Sequence, residues 1–410
     1  MVAVSLLTLG VLFAQAWGMP AATQSAVVSV ATPTIASTSF LVAESKLDTL
    51  AGLAYDATIE NISSDSDIEK RGTCSLSSLR IRRDWRAFSS TQKKSYINSV
   101  LCLQKLPSLT PSDEASGART RYDDFVVTHI NQTLTIHYTG TFLAWHRYYI
   151  WNFEEALRNE CGYTGDYPYW NWGADATDLE NSQVFDGSDT SMSGNGAYTE
   201  SAGDIELTSG DSPVVYLPTG NGGGCVTSGP FKDYSVNLGP VALMIPGGGS
   251  NTSVNPLAYN PRCLKRDLTS AIVQDYANFT AIVDLILRHD NIYDFQMTMQ
   301  GYPGSGNIGV HGGGHYAMGG DPGRDVFVSP GDPAFWLHHG MIDRTWWIWQ
   351  NLDLGKRQNA ISGTGTFLNS PVSPNTTLET LVDIGYAGGE TVAMQDIMST
   401  VSGPFCYVYL

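Results

Sequence analysis

The sequence predicts a mainly α fold, in one domain with long loops and minor β structure. Three observations point there. Several stretches repeat apolar residues at helical spacing; residues 174–262 are dense in Gly, Ser, Asp and Asn and read as a loop-rich insertion; and no internal repeat or linker divides the chain.

Taken in order, the chain opens on "MVAVSLLTLGVLFAQAWGMP", an apolar run from Val2 to Phe13 followed by the small-x-small pattern Ala14–Ala16. The run is too short to span a bilayer, so residues 1–20 are expected to be a signal peptide. Residues 21–71 form an N-terminal segment, a candidate propeptide. It holds a Ser/Thr/Ala-rich stretch, a short amphipathic helix over 40–62 and the dibasic pair Lys70-Arg71. The folded body is expected from Cys74, within a single domain over 72–410.

Helices are expected over "STQKKSYINSVLCLQKLP", capped by Ser90 and stopped by Pro107, and over Thr141–Gly162. A third starts with "TAIVDLILRHDNIYDFQMTM". A fourth starts at Asp332, an acidic N-cap before Pro333 at the first helical position.

Composition narrows the function. The 410 residues carry 40 acids against 23 bases, a formal charge of −17, which argues against nucleic acid or an anionic membrane as partner. Six cysteines and N-x-S/T sequons at Asn61, Asn131, Asn251, Asn278 and Asn375 agree with the leader in predicting a secreted, extracellular glycoprotein. An even cysteine count allows three disulfides, but the sequence does not fix their pairing. Oligomeric state is equally unreadable.

The eight histidines fall into groups: His129, His137 and His146; then His311, His315, His338 and His339; with His289 between them. Two clusters suggest two metal ions with three ligands each. His137 and His146 are nine apart, which at about 100° per residue puts them on opposite faces of one straight helix. A break near Gly140 would let them converge. His311 and His315, four apart in "HGGGH", would share a helical face. Their three intervening glycines cost roughly 1 kcal/mol each in helix propensity. Metal coordination can offset that, and glycine leaves open space beside the metal.

Imidazole-only ligation suits copper, zinc or iron. A zinc protease is disfavoured because the glutamate of "HExxH" is absent, and a 2-His-1-carboxylate iron site would leave too many histidines unexplained. Two tri-histidine copper ions, about 3.5–4 Å apart as paired-metal sites are, would use six of the eight and bind dioxygen.

"FLAWHRYY" and "DPAFWLHHGMIDRTWW" resemble the two copper signatures of the type 3 copper proteins, most closely the short secreted fungal tyrosinases and catechol oxidases. The resemblance runs from "RRDWR" (Arg82–Arg86) to "YVY" (Tyr407–Tyr409). It implies a four-helix core holding a dicopper site. Copper A would take His129, His137 and His146, and copper B His311, His315 and His339. His338 would stand behind the ligands. Asp343, one turn past His339, would either fix that ring's tautomer or pair with Arg344 or another base. His289 has no implied role.

The implied activity is oxidation of o-diphenols to o-quinones, with two copper ions as cofactor, dioxygen as co-substrate and small phenols as partners. Members with strong monophenolase activity resemble one another in a Glu upstream of the first copper B histidine and an Asn just after it. Here Gln300 and Gly312 stand at those places, which favours diphenols. Thr135 replaces the cysteine that forms a thioether in many members. The gate position maps to Val326, a small residue that predicts a roomy entrance for substituted phenols or aminophenols. The chain stops one residue after "YVY", so no C-terminal shielding domain is expected. Alternatives on the same histidines are a tyrosinase or o-aminophenol oxidase, a hemocyanin-like O₂ carrier and, weakest, a matrix protein with structural zinc.

Overall fold

The computed structural model describes residues 38–64, 74–208 and 213–410. The leader, its Ala14–Ala16 pattern and the Lys70-Arg71 pair lie outside the described residues. Thr38–Leu410 forms one unit, mostly helical as the sequence predicts.

Helix α1 (Thr38–Ser64) is longer than the expected 40–62 and belongs to the packed body. Its Leu47, Leu50 and Ala54 are buried in the main core, and the Trp347 indole N–H donates to Thr58 Oγ1 at 3.2 Å. Among the described residues α1 thus packs with the body that follows Cys74.

Helix α2 (Ser90–Leu103) is capped by Ser89 rather than Ser90. Gln92 Oε1 accepts from the Ser89 N–H at 2.9 Å and Ser89 Oγ accepts from the Gln92 N–H at 3.3 Å, a reciprocal box that satisfies two orphan donors. Helix α3 (Arg121–Ile136) uses Thr120 and Asp123 in the same way.

The chain then breaks as the nine-residue spacing requires, although not by glycine. His137 is extended (φ −118°, ψ 140°), and Tyr138 takes a left-handed φ of 51°, uncommon for a bulky residue. Gln300 holds it there. Its Oε1 accepts the Tyr138 N–H at 2.7 Å, and its carbonyl accepts the Tyr138 hydroxyl at 2.8 Å. Helix α4 (Phe142–Cys161) follows, ended by Gly162 at φ 68°.

After α5 (Ser270–Tyr276), the expected third helix is two: α6 (Phe279–Arg288) and α7 (Ile292–Gln300). Asn278 and Asn291 each cap one through a 2.9 Å bond, so the His289–Asn291 segment restarts the helix. Helix α8 (Gly309–Met318) contains "HGGGH". Helix α9 (Phe335–Asn351) starts two residues later than expected, with Ala334 and not Asp332 at the cap. Asp332 accepts the Ala334 N–H at 2.8 Å, but its carboxylate also grips the Arg266 guanidinium at 2.6 and 2.8 Å.

Helices α3, α4, α8 and α9 are the expected four-helix core, carrying the two histidine groups. A three-stranded parallel sheet borders it. β1 (Arg80–Asp84) lies between β2 (Tyr167–Tyr169) and β3 (Tyr407–Tyr409), with Ile81 opposite Val408 and Arg83 opposite Pro168. The 174–262 region is, as predicted, mostly loops, with short antiparallel pairs such as Ile205–Leu207 with Val215–Leu217. The cysteines pair as Cys74–Cys406, Cys102–Cys161 and Cys225–Cys263. Among the described residues no helix is long and apolar enough to cross a membrane.

Candidate metal centre

Each histidine of the first group is aimed by a backbone carbonyl. Nδ1 of His137 bonds Thr133 O at 3.0 Å and Nδ1 of His146 bonds Phe142 O at 2.7 Å, both four residues back. His129 Nδ1 bonds Phe327 O at 2.9 Å, across the molecule. The proton therefore sits on Nδ1 and the Nε2 lone pair faces inward. The three rings converge, with centroids 5.2, 5.0 and 5.8 Å apart.

The second group comes from α8 and α9. His311 and His315 share a face, 4.7 Å apart, and His339 Nε2 stands 3.4 Å from His315 Nε2. The groups face one another: the His339 ring lies on His146 at 4.6 Å and 15°, and His137 is 5.7 Å from His311.

Nε2 of His129, His146 and His311, and Nδ1 of His315 and His339, are buried without a hydrogen-bond partner. Orphan buried polar groups cost about 1–3 kcal/mol each, and such a concentration of them calls for a ligand. Burial is also what keeps the rings neutral. It brings His137 down to about 4 and His315 to about 3. Burial, then neighbouring imidazoles, hold His129, His146, His311 and His339 well below the usual imidazole range. Neutral inward-facing imidazoles in two groups, each with ligand atoms within 4.8 Å of one another, fit two metal ions of the imidazole-preferring kind.

His338 joins the second group geometrically, 4.5 Å from His315 with both ring nitrogens unpartnered. Its ring nevertheless leans on Trp172 at 5.3 Å, whereas His339 faces His146. Successive helix residues diverge by about 100°, so only one of the pair can turn toward the first group.

Asp343 makes no bond to His339 and none to Arg344; of its two expected roles it takes the second, pairing with other bases. It accepts from Arg147 Nε at 2.6 Å, Arg82 Nη1 at 3.2 Å, and the hydroxyls of Tyr407 and Tyr409 at 2.7 and 2.6 Å. The glycines of "HGGGH" do not all clear an approach. A Cβ on Gly313 would meet Tyr276 at 3.0 Å, and one on Gly314 would strike the His338 ring at 2.2 Å. Gly312 alone of the three lines the adjoining cavity.

That cavity holds about 420 Å³ beside His137, His311 and His315. Gln300, Gly312 and Val326 all line it, the last 37% exposed at its mouth. Gln300 is fully engaged, its Nε2 donating to Gln296 O at 3.1 Å while Oε1 holds Tyr138. His289 stands apart, its carbonyl accepting the Trp349 indole N–H at 2.7 Å. Thr135 donates its hydroxyl to Gln132 O at 2.9 Å.

Sequence reasoning missed the carbonyls that aim the rings. The four-residue offsets to Thr133 and Phe142 were a usable signal; Phe327, 198 positions from His129, gave none.

Residues 119–352, which include every clustered histidine, match the common central domain of tyrosinase. The chain is 42% identical over 336 residues to tyrosinase P of Aspergillus terreus, covering 80% of this chain and 91% of that one. It is 38% identical over 376 residues to the N-acetyl-6-hydroxytryptophan oxidase of Emericella nidulans, covering 88% and 99%. A solved variant of the polyphenol oxidase of Thermothelomyces thermophila superposes with a TM-score of 0.83 at 40% identity, covering 89% of this chain and 98% of that one. Domain, relatives and facing imidazoles agree: the chain belongs to the tyrosinase family of type 3 copper proteins and is a copper-dependent oxidoreductase.

Proposed function

We propose that the protein oxidises o-diphenols to o-quinones, two diphenols being consumed per dioxygen reduced to two waters. The observation that carries this reading is the cavity that opens directly onto His137, His311 and His315. His129, His137 and His146 would hold one copper ion and His311, His315 and His339 the other. Bound there, the pair supplies dioxygen binding and two-electron exchange with the phenol.

The chain's own residues set what enters and what proton chemistry is at hand. The carbonyls of Thr133, Phe142 and Phe327 keep three rings in one tautomer. Gln300, with both ends of its amide bonded, offers no site to take up a proton, and Gly312 brings no side chain. Deprotonation of a monophenol thus lacks a base here, which supports a preference for diphenols. The small Val326 at the mouth leaves room for bulkier phenols and aminophenols. A relative named for oxidising N-acetyl-6-hydroxytryptophan, a bulky phenol with one hydroxyl, favours the second reading, a roomy site that also admits substituted monophenols.

Copper-loaded protein should consume one dioxygen per two catechols, and turn over tyrosine at least tenfold more slowly and after a lag. Comparable, lag-free tyrosine turnover would overturn the diphenol preference. His339→Ala should lower copper from two ions per chain to one, with His338→Ala retaining two. The opposite result would reassign the ligand.

Secretion is part of the same proposal. It is supported by the pairing of all six cysteines, which requires an oxidising compartment. Exposed sequon residues Asn131, Asn251 and Asn375 support it too. Asn278 instead spends its side chain capping α6. Deglycosylation of material from the culture medium should shift its mass, and material found only inside the cell would refute this.

A further inference from the structure

The turn between α8 and the mouth residue Val326 places Arg324 in the wall of the cavity, with 9% of its surface exposed. Among the described residues that line the cavity, it is the one carrying a full charge. The rest of the wall is largely apolar, including Ile308, Met244, Val215 and Phe367.

A buried guanidinium normally has its donors matched by carboxylate or carbonyl oxygens. Arg344, which does not line the cavity, leaves Nε and Nη1 unmatched, but Arg262 and Arg266 follow that rule: Arg262 grips Asp321 with bonds of 2.6 and 2.8 Å, and Arg266 grips Asp332. Arg324 does not. Its Nε has no partner, and its nearest carboxylate oxygen, Asp267 Oδ2, stands 3.8 Å from Nη1, beyond hydrogen-bond reach. Asp267 directs its other oxygen to the N–H groups of Gly220 and Gly222. Asp321, also close by, is taken by Arg262.

The backbone around Arg324 is firmly held. Its N–H donates to Gly320 O at 3.3 Å. Asp325, next in sequence, accepts from Val241, Ala242 and Phe327. The backbone thus holds the residue beside the substrate space, where it also borders a second cavity lined by Asp267 and Asp321.

Resting on the phenol-oxidase reading, we propose that Arg324 is a specificity-determining residue, and that the substrate is a phenol whose side chain ends in a carboxylate that Arg324 binds. The planar fork of donors matches a carboxylate. A substrate entering past Val326 would place its ring toward the histidines and its anion on Arg324. The chain's −17 charge gives no general attraction for anions, so the preference has to arise locally.

The test compares 3-(3,4-dihydroxyphenyl)propionate with its amide. In the native copper-loaded protein the acid should show a kcat/KM at least tenfold higher, carried by KM. Arg324→Gln should lower that ratio roughly 10- to 100-fold, the range of a charge-assisted hydrogen bond, and Arg324→Lys should restore part of it. An unchanged ratio, with both substrates falling together, would make Arg324 merely structural and overturn the proposal.

Calorimetric binding of the same pair to copper-free protein gives a readout without turnover. A preference for the acid that Arg324→Gln abolishes, with no oxidation of either compound by loaded protein, would keep the anion site and sink the oxidase reading. Should Arg324→Gln fail to accumulate, the native protein decides alone: no preference for acid over amide, in binding or in KM, refutes the proposal.

Discussion

Asp343 gathers four donors from three parts of the chain: Arg82 on β1, Arg147 on α4, and Tyr407 and Tyr409 on β3. Arg147 follows His146, and Asp343 lies one turn beyond His339, so this pair ties together two helices that aim opposed histidines. Burial opposes ionisation of the carboxyl. Arg147, Arg82 and the two hydroxyls outweigh it and hold it below the usual carboxylate range. The stability it confers is therefore complete above the unfolded value of about 3.9 and is lost as pH falls through the lower folded one. Asp343→Asn should cost about 3 kcal/mol at pH 7, the scale for a broken buried ion pair. In denaturant titrations the gap from the native protein should narrow below pH 4; a gap constant with pH would mean that charge is not the reason. Its position near His339 was legible from the sequence, but its partners were not. They lie 196 and 261 positions away, and no local pattern encodes them.

At the scale of the element, α8 shows what three successive glycines are for. The four-residue spacing of His311 and His315 made a helix readable, and the structure has one. Which neighbour each glycine admits is a matter of packing between helices, invisible in the sequence. Gly313 lets α5 approach, and Gly314 accepts the edge of the His338 ring. Gly314→Ala should therefore displace α9 against α8, lowering copper to about one ion per chain and activity at least tenfold. Gly312→Ala, whose nearest atom is Ile308 Cβ at 3.0 Å on the preceding turn, should keep both ions. Equal copper in the two variants would contradict this account. The bend between α3 and α4 is a similar case. Spacing demanded it, but the strained residue is Tyr138, and Gln300 stabilises it from another helix. Gln300 thus earns its place by shaping the first histidine group, a role that its position before His311 could not disclose.

Over the whole molecule, the mainly α character and the four central helices were legible because long amphipathic periods and histidine spacing survive in sequence. The parallel sheet was not, because strands of three to five residues carry too little alternation to register. Nor was the place of α1, whose buried face is recognisable only once α6 and α9 are in position. Sheet and disulfide cooperate at one spot. Cys74 and Cys406, 332 positions apart, are joined just before β1 and β3, which then pair in parallel. Closing so long a loop should confer about 6 kcal/mol in the chain-entropy account. Replacing both cysteines by serine should lower the denaturation midpoint well beyond the loss from opening Cys225–Cys263 within the insertion. Equal losses would show that β1 and β3 hold without the link.

β3 comes after every clustered histidine in chain order, so a ribosome delivers the Tyr407 and Tyr409 hydroxyls after all of them. Until they arrive, Asp343 lacks two of its four donors and the helices bearing His146 and His339 lack their common brace. The brace behind the two histidine groups is thus complete only once β3 is in place, 68 residues beyond His339, so a chain cut before β3 should hold its facing histidines less firmly.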